Sequence, residues 1–130
     1  MDTFKHLDKI YLIFTLLLTQ SCNRPRRLYL KNKSDNAVML RLDTAFAAEK
    51  GSIQARFKDS LDGKQIMPGN MIINFGAGKW KESDEKNLKV VLQHIAVIKT
   101  GTNKSFQFPK NMDIGHGILI SELIVNIDEP

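Results

Sequence analysis

The sequence predicts a mainly β domain, a small β-sandwich of immunoglobulin-like architecture carrying one short helix. Three observations predict it: short runs in which apolar and polar residues alternate, turn-forming residues between those runs, and a single stretch with helical spacing. At 130 residues there is room for one domain, and 42% apolar with 25% charged residues is the balance of a chain that folds.

Residues 27–43 read as a hairpin. Leu28 and Leu30 alternate with Tyr29 and Lys31, Ser34-Asp35-Asn36 supplies the turn, and Val38, Leu40 and Leu42 alternate with Met39 and Arg41. One or two helical turns are expected over 44–51, capped by Asp43 or Thr44 and stopped by Gly51. Ile53, Ala55 and Phe57 alternate, which predicts a third strand ending near Phe57. Pro68 fixes φ and Gly69 accepts a positive φ, so 66–70 is a type II turn. The strand Met71–Phe75 follows, and Gly76-Ala77-Gly78 ends it so that Trp80 turns inward. Leu88, Val91, Leu92 and Ile95 keep i, i+3, i+4, i+7 spacing behind Ser83, Asp84 and Glu85, a helix over 84–92. The β-branched run after it predicts a strand over 94–100, then a turn at Gly101, then a strand through Phe106 and Phe108. Residues 109–117 are a loop, and 118–127 form a final strand apolar enough to be central.

Ahead of this domain, residues 1–9 are polar with Lys5 and Lys9, and Ile10–Thr19 is apolar. That block is too short for an ordinary bilayer span of about 20 residues and has the length of a cleavable signal peptide. Ser21 is the small residue before the cleavage point, and Cys22 is the only cysteine. A buried cysteine in a core segment would need partner elements on both sides. Asn23–Arg27 instead has the proline and arginines of a tether, so the chain divides into a leader (1–21), a tether (22–27) and the β-sandwich (28–130).

The leader, Ser21 and Cys22 resemble the lipobox of bacterial lipoproteins. Gln20 and Thr19 depart from its strict form and match the looser boxes ending in Ser-Cys of Bacteroidetes lipoproteins. The "LYLKNKSDNAV" opening and the "NFGAGKW" strand are also similar to short envelope lipoproteins of that group. The resemblance implies cleavage after Ser21 and a diacylglyceryl thioether, with a palmitate-type acyl chain, on Cys22. Two or three chains at ~0.8 kcal/mol per buried methylene make a stable anchor. The exported domain would then have no thiol, and core packing alone would stabilise it. Arg24, Arg26 and Arg27 stand where surface-displayed members carry acidic residues, which implies a periplasm-facing position at the outer membrane. Those arginines suit either anionic headgroups or a soluble linker. Asp43-Thr44-Ala45 and Asp59-Ser60-Leu61 resemble the acceptor sequence for O-glycosylation in the same group, at Thr44 and Ser60.

The formal charge of +5 comes from scattered lysines with no aromatic-interleaved basic face, so nucleic acid is not an expected partner. "GAGK" at 76–79 lacks the Gly and Ser/Thr of a phosphate loop, having Ile73 and Trp80 at those places. No serine has a nucleophile-elbow context. His94, Asp113 and His116 are the candidate ligands for a metal or proton-transfer site, but their spacing matches no motif, and no metal or cofactor is expected. The expected function is that of a lipid-anchored binding or accessory module, with the membrane and an envelope protein as partners. A small metal-assisted hydrolase built on those three residues, and a structural subunit of an envelope complex, are the alternatives.

Overall fold

The computed structural model describes residues 25–109, 112–117 and 121–128. Its elements are β1 (Pro25–Asn32), β2 (Val38–Leu42), α1 (Ile53–Leu61), β3 (Gln65–Ile66), β4 (Gly69–Ala77), α2 (Glu82–Gln93), β5 (Ile95–Lys99), β6 (Ser105–Gln107), β7 (Gly115–His116) and β8 (Glu122–Ile127). They build two four-stranded sheets, ordered β4-β1-β8-β7 and β3-β2-β5-β6. The expected mainly β sandwich is what the chain forms. Leu28 and Leu30 lie opposite Leu123 and Val125 in the first sheet, and Leu40 and Leu42 opposite Val97 and Ile95 in the second. All eight are buried in one core, where each apolar side chain contributes on the order of 1.5–3 kcal/mol.

The hairpin expected over 27–43 does not form. β1 pairs antiparallel with β4 and parallel with β8, whereas β2 pairs with β3 and β5, so Lys33–Ala37 crosses from one sheet to the other. Alternation reports which side of a strand is buried, and it is silent on which strands lie beside it. Asn32 pins the crossing. Its Nδ2 donates to the Asn36 carbonyl at 2.9 Å and the Ile66 carbonyl at 3.0 Å, and its Oδ1 accepts from Ser34 N at 3.0 Å and Ser34 Oγ at 2.7 Å.

The strand expected to end near Phe57 is the helix α1, which makes two helices where one was expected. Ile53 and Phe57 fit both a period of two and an i, i+4 step, and the buried Leu61 one step further satisfies only the helix. Ser52 caps α1 by accepting the Ala55 N–H at 3.2 Å. The helical turns expected at 44–51 are absent, because Asp43 Oδ1 accepts the Ala45 N–H at 3.0 Å and closes an Asx turn instead. α2 starts two residues earlier than expected. Its buried Asp84 accepts the Lys81 backbone N–H at 2.9 Å, and Leu88, Val91 and Leu92 enter the core. Pro25–Arg27, expected in the tether, belong to β1, and β7 lies inside the expected loop 109–117. Gly69 has the positive φ (110°) its turn requires, and β8 is central between β1 and β7.

The parallel pairing of β1 with β8 gives the sandwich a direction. Arg27 and Glu122 are partners at the end where the chain enters, beside the close of β4 at Ala77, and Asn32 and Ile127 are partners at the other end. A strand from Pro25 to Asn32 separates the two ends by about 23 Å.

Candidate functional site

Two adjoining clefts open at the end remote from Pro25, and Asp128 lines both. The larger, about 460 Å3, lies among Lys33, Ser34, Asp35, Asn36, Lys99 and Asp128. Its walls are held by the strand ends: the Lys33 N–H donates to the Ile127 carbonyl at 3.2 Å and the Thr100 N–H to the Ala37 carbonyl at 2.9 Å. Ser34 Oγ donates to the Asn36 carbonyl at 2.8 Å and tightens the loop. This cleft offers both ammonium and carboxylate groups on a polar surface.

The smaller cleft, about 180 Å3, is lined by Phe106, Phe108, Pro109, Met112, Asp113, Asn126 and Asp128. Phe108 is buried, Phe106 and Met112 are half-buried, and the two aspartates are exposed. Aromatic faces and a thioether beside two carboxylates suit an apolar group that carries a positive charge, since ring faces and carboxylates both attract cations. The volume admits a single side chain or a fragment of that size.

The three residues considered for a metal or proton-transfer site stand apart. His94 caps the carboxyl end of α2, exposed, with its ring centroid 4.8 Å from that of Phe46. His116 lies in β7, and its Nε2 is 3.3 Å from Oε2 of Glu85 in the first turns of α2. His94 lies nine positions beyond Glu85 along α2, about 14 Å of rise. Asp113 belongs to the smaller cleft. Among the described residues, no group of three or more His, Cys, Asp or Glu side chains is placed to hold a metal ion. The glycines around His116 have a packing cause. A Cβ on Gly115 would sit 3.3 Å from the Ile124 Cβ, and one on Gly117 would sit 2.8 Å from the Glu122 Cβ.

Thr44 lies in an exposed turn, and Ser60 is half-buried in α1 beside the buried Leu61. Ser21 and Cys22 lie outside the described residues, among which no helix is long and apolar enough to cross a membrane. Gly76 and Gly78 have positive φ (88° and 127°) at the close of β4, and Trp80 turns into the core, as expected of a strand end.

The chain matches no family model, no curated protein and no solved structure. What the clefts accept must therefore be read from their own side chains. Sequence reasoning singled out only Asp113 among their lining residues. Phe106 and Phe108, Met112, and Asp128 come from three separate segments, and no local spacing marks residues that only the meeting of β6 and the residues just after it, the 112–114 segment and the end of β8 brings together.

Proposed function

We propose that this protein is a non-catalytic binding or accessory module of the bacterial cell envelope, tied to the membrane by a lipid on Cys22 and facing the periplasm. The observation that supports this reading is the direction of the fold. β1 begins three residues after Cys22, and the paired clefts lie at the opposite end of the same strand. An anchor at one end of a rigid sandwich would hold the clefts away from the bilayer surface, open to a partner. The cleft chemistry favours a partner that presents a cationic or amphipathic group, an exposed lysine or arginine of an envelope protein for instance. The hydrolase alternative lacks support from the separation of His94, Asp113 and His116.

The test has two parts in intact cells. Radiolabelled palmitate is expected to label the wild-type protein and not Cys22→Ser. A photo-crosslinking amino acid placed at Asp35, in the larger cleft, is expected to give a discrete adduct, whereas the same group at Glu49, exposed on the α1-preceding loop, gives none. An unlabelled wild-type protein removes the anchor, and equal or absent adducts at the two positions remove the binding role of the clefts.

A further inference from the structure

At the end where the chain enters, two guanidinium groups from distant parts of the sequence converge on one atom. Arg26 Nη2 of β1 donates to the Phe75 carbonyl at 2.9 Å, and Arg56 Nη2 of α1 donates to the same oxygen at 3.1 Å. Sharing that acceptor places the two cations side by side. Each is also laid on a ring, Arg26 with Cζ 5.3 Å from the Trp80 centroid and Arg56 with Cζ 5.3 Å from that of Phe75. Ring faces and one neutral carbonyl orient the groups without cancelling their charge.

No carboxylate among the described residues pairs with either arginine. Asp59, one turn along α1 from Arg56, forms no ion pair with it, and the acidic residues in the first turns of α2 are engaged elsewhere: Glu82 with Lys86, Asp84 with the Lys81 N–H, and Glu85 with His116. Nε of Arg26 is buried and has no hydrogen-bond partner. Arg56 is exposed and Arg26 is half-buried, its Nε shut off from solvent, which leaves the terminal Nη groups as the donors an incoming oxyanion would meet on Arg26. Two unneutralised, preoriented guanidiniums repel each other, and a tetrahedral oxyanion that bridges them relieves the repulsion with charge-assisted hydrogen bonds.

We infer that Arg26 and Arg56 form a binding site for a phosphate oxyanion, supplied by the headgroup of an anionic phospholipid. The source of that phosphate rests on the anchoring reading above. Arg26 is four residues from Cys22, at most ~14 Å of extended chain, which brings the pair to headgroup depth when Cys22 is acylated. The site then does more than tether: it sets the rotation of the sandwich on the bilayer, because Arg56 comes from α1 and Arg26 from β1, two separate elements of the fold.

Trp80 is the only tryptophan, and it lies against Arg26, so its emission reports the site. The full protein, purified from its membranes in dodecyl maltoside, is titrated with inorganic phosphate, with dihexanoyl-phosphatidylglycerol and with zwitterionic dihexanoyl-phosphatidylcholine. Saturable changes are expected with the first two, tightest with the glycerol lipid, and at least tenfold weaker in Arg56→Gln and in Arg26→Lys with an unchanged thermal midpoint. Absence of a saturable change with any phosphate, or titrations identical in the variants, overturns the site. Saturation by inorganic phosphate with no preference for phosphatidylglycerol overturns the lipid as its source. Failure of the anchoring reading is separately visible: without palmitate on Cys22 but with phosphate titrations lost in the variants, the oxyanion site stands and the headgroup assignment falls.

Discussion

Asn32 fixes the point where the chain changes sheets, through directed hydrogen bonds that an apolar side chain cannot make. It is 4% exposed at the point where the chain leaves one sheet for the other, and its amide makes four hydrogen bonds that hold the crossing loop against β3. A leucine there would fill the volume and leave the carbonyls of Asn36 and Ile66 without their donor. Asn32→Asp is more damaging, since it sets a carboxylate oxygen against those two carbonyls. It is expected to lower unfolding free energy by about 3 kcal/mol, read as a reduced urea midpoint with unchanged slope. In the sequence Asn32 is only a polar residue that follows an alternating run. Its role depends on Ile66, 34 residues away.

At the scale of elements, the four edge strands are unequal. β3, β6 and β7 have two or three residues each, short enough to offer little to an incoming strand, whereas β4 has nine and carries no charged side chain. On its outer face Ile72 is 54% exposed, opposite Tyr29 of β1. Long, uncharged edges are templates for pairing with another chain. Ile72→Lys is therefore expected to raise the concentration at which the protein stays monomeric, by light scattering after gel filtration, while stability changes by less than about 0.5 kcal/mol. α1 gives the complementary lesson. The run 53–57 satisfies two periodicities at once, and only Leu61 and the Ser52 cap decide for the helix.

Over the whole molecule, one aromatic cluster ties the helix α1 to the β4–β1 edge of the first sheet. Phe57 of α1 has its ring centroid 5.2 Å from Phe75 of β4 and 5.8 Å from Trp80, whose Nε1 donates to the Arg27 carbonyl of β1 at 3.1 Å. Phe57 is fully buried, so Phe57→Ala leaves a void at the junction and is expected to cost about 3–5 kcal/mol. If the two sheets and both helices are one cooperative unit, near-UV and far-UV circular dichroism of that variant fall together on heating; separated transitions would show that the helices melt first.

The sequence by itself determined the class of the domain, the inward faces of β1 and β2, the central place of the last strand, the helix α2 with Leu88, Val91 and Leu92, the turn at Gly69 and the burial of Trp80. Each of these is a local property: periodicity marks a buried face, and a turn residue declares its own φ. Tertiary structure decided which strands are neighbours, that 53–61 is a helix, that Arg56 meets Arg26, and that Asp113 and Asp128 line one cleft while His94 and His116 stay apart. Those facts depend on contacts between segments far apart in the chain, and a short window of residues holds no record of what will pack against it.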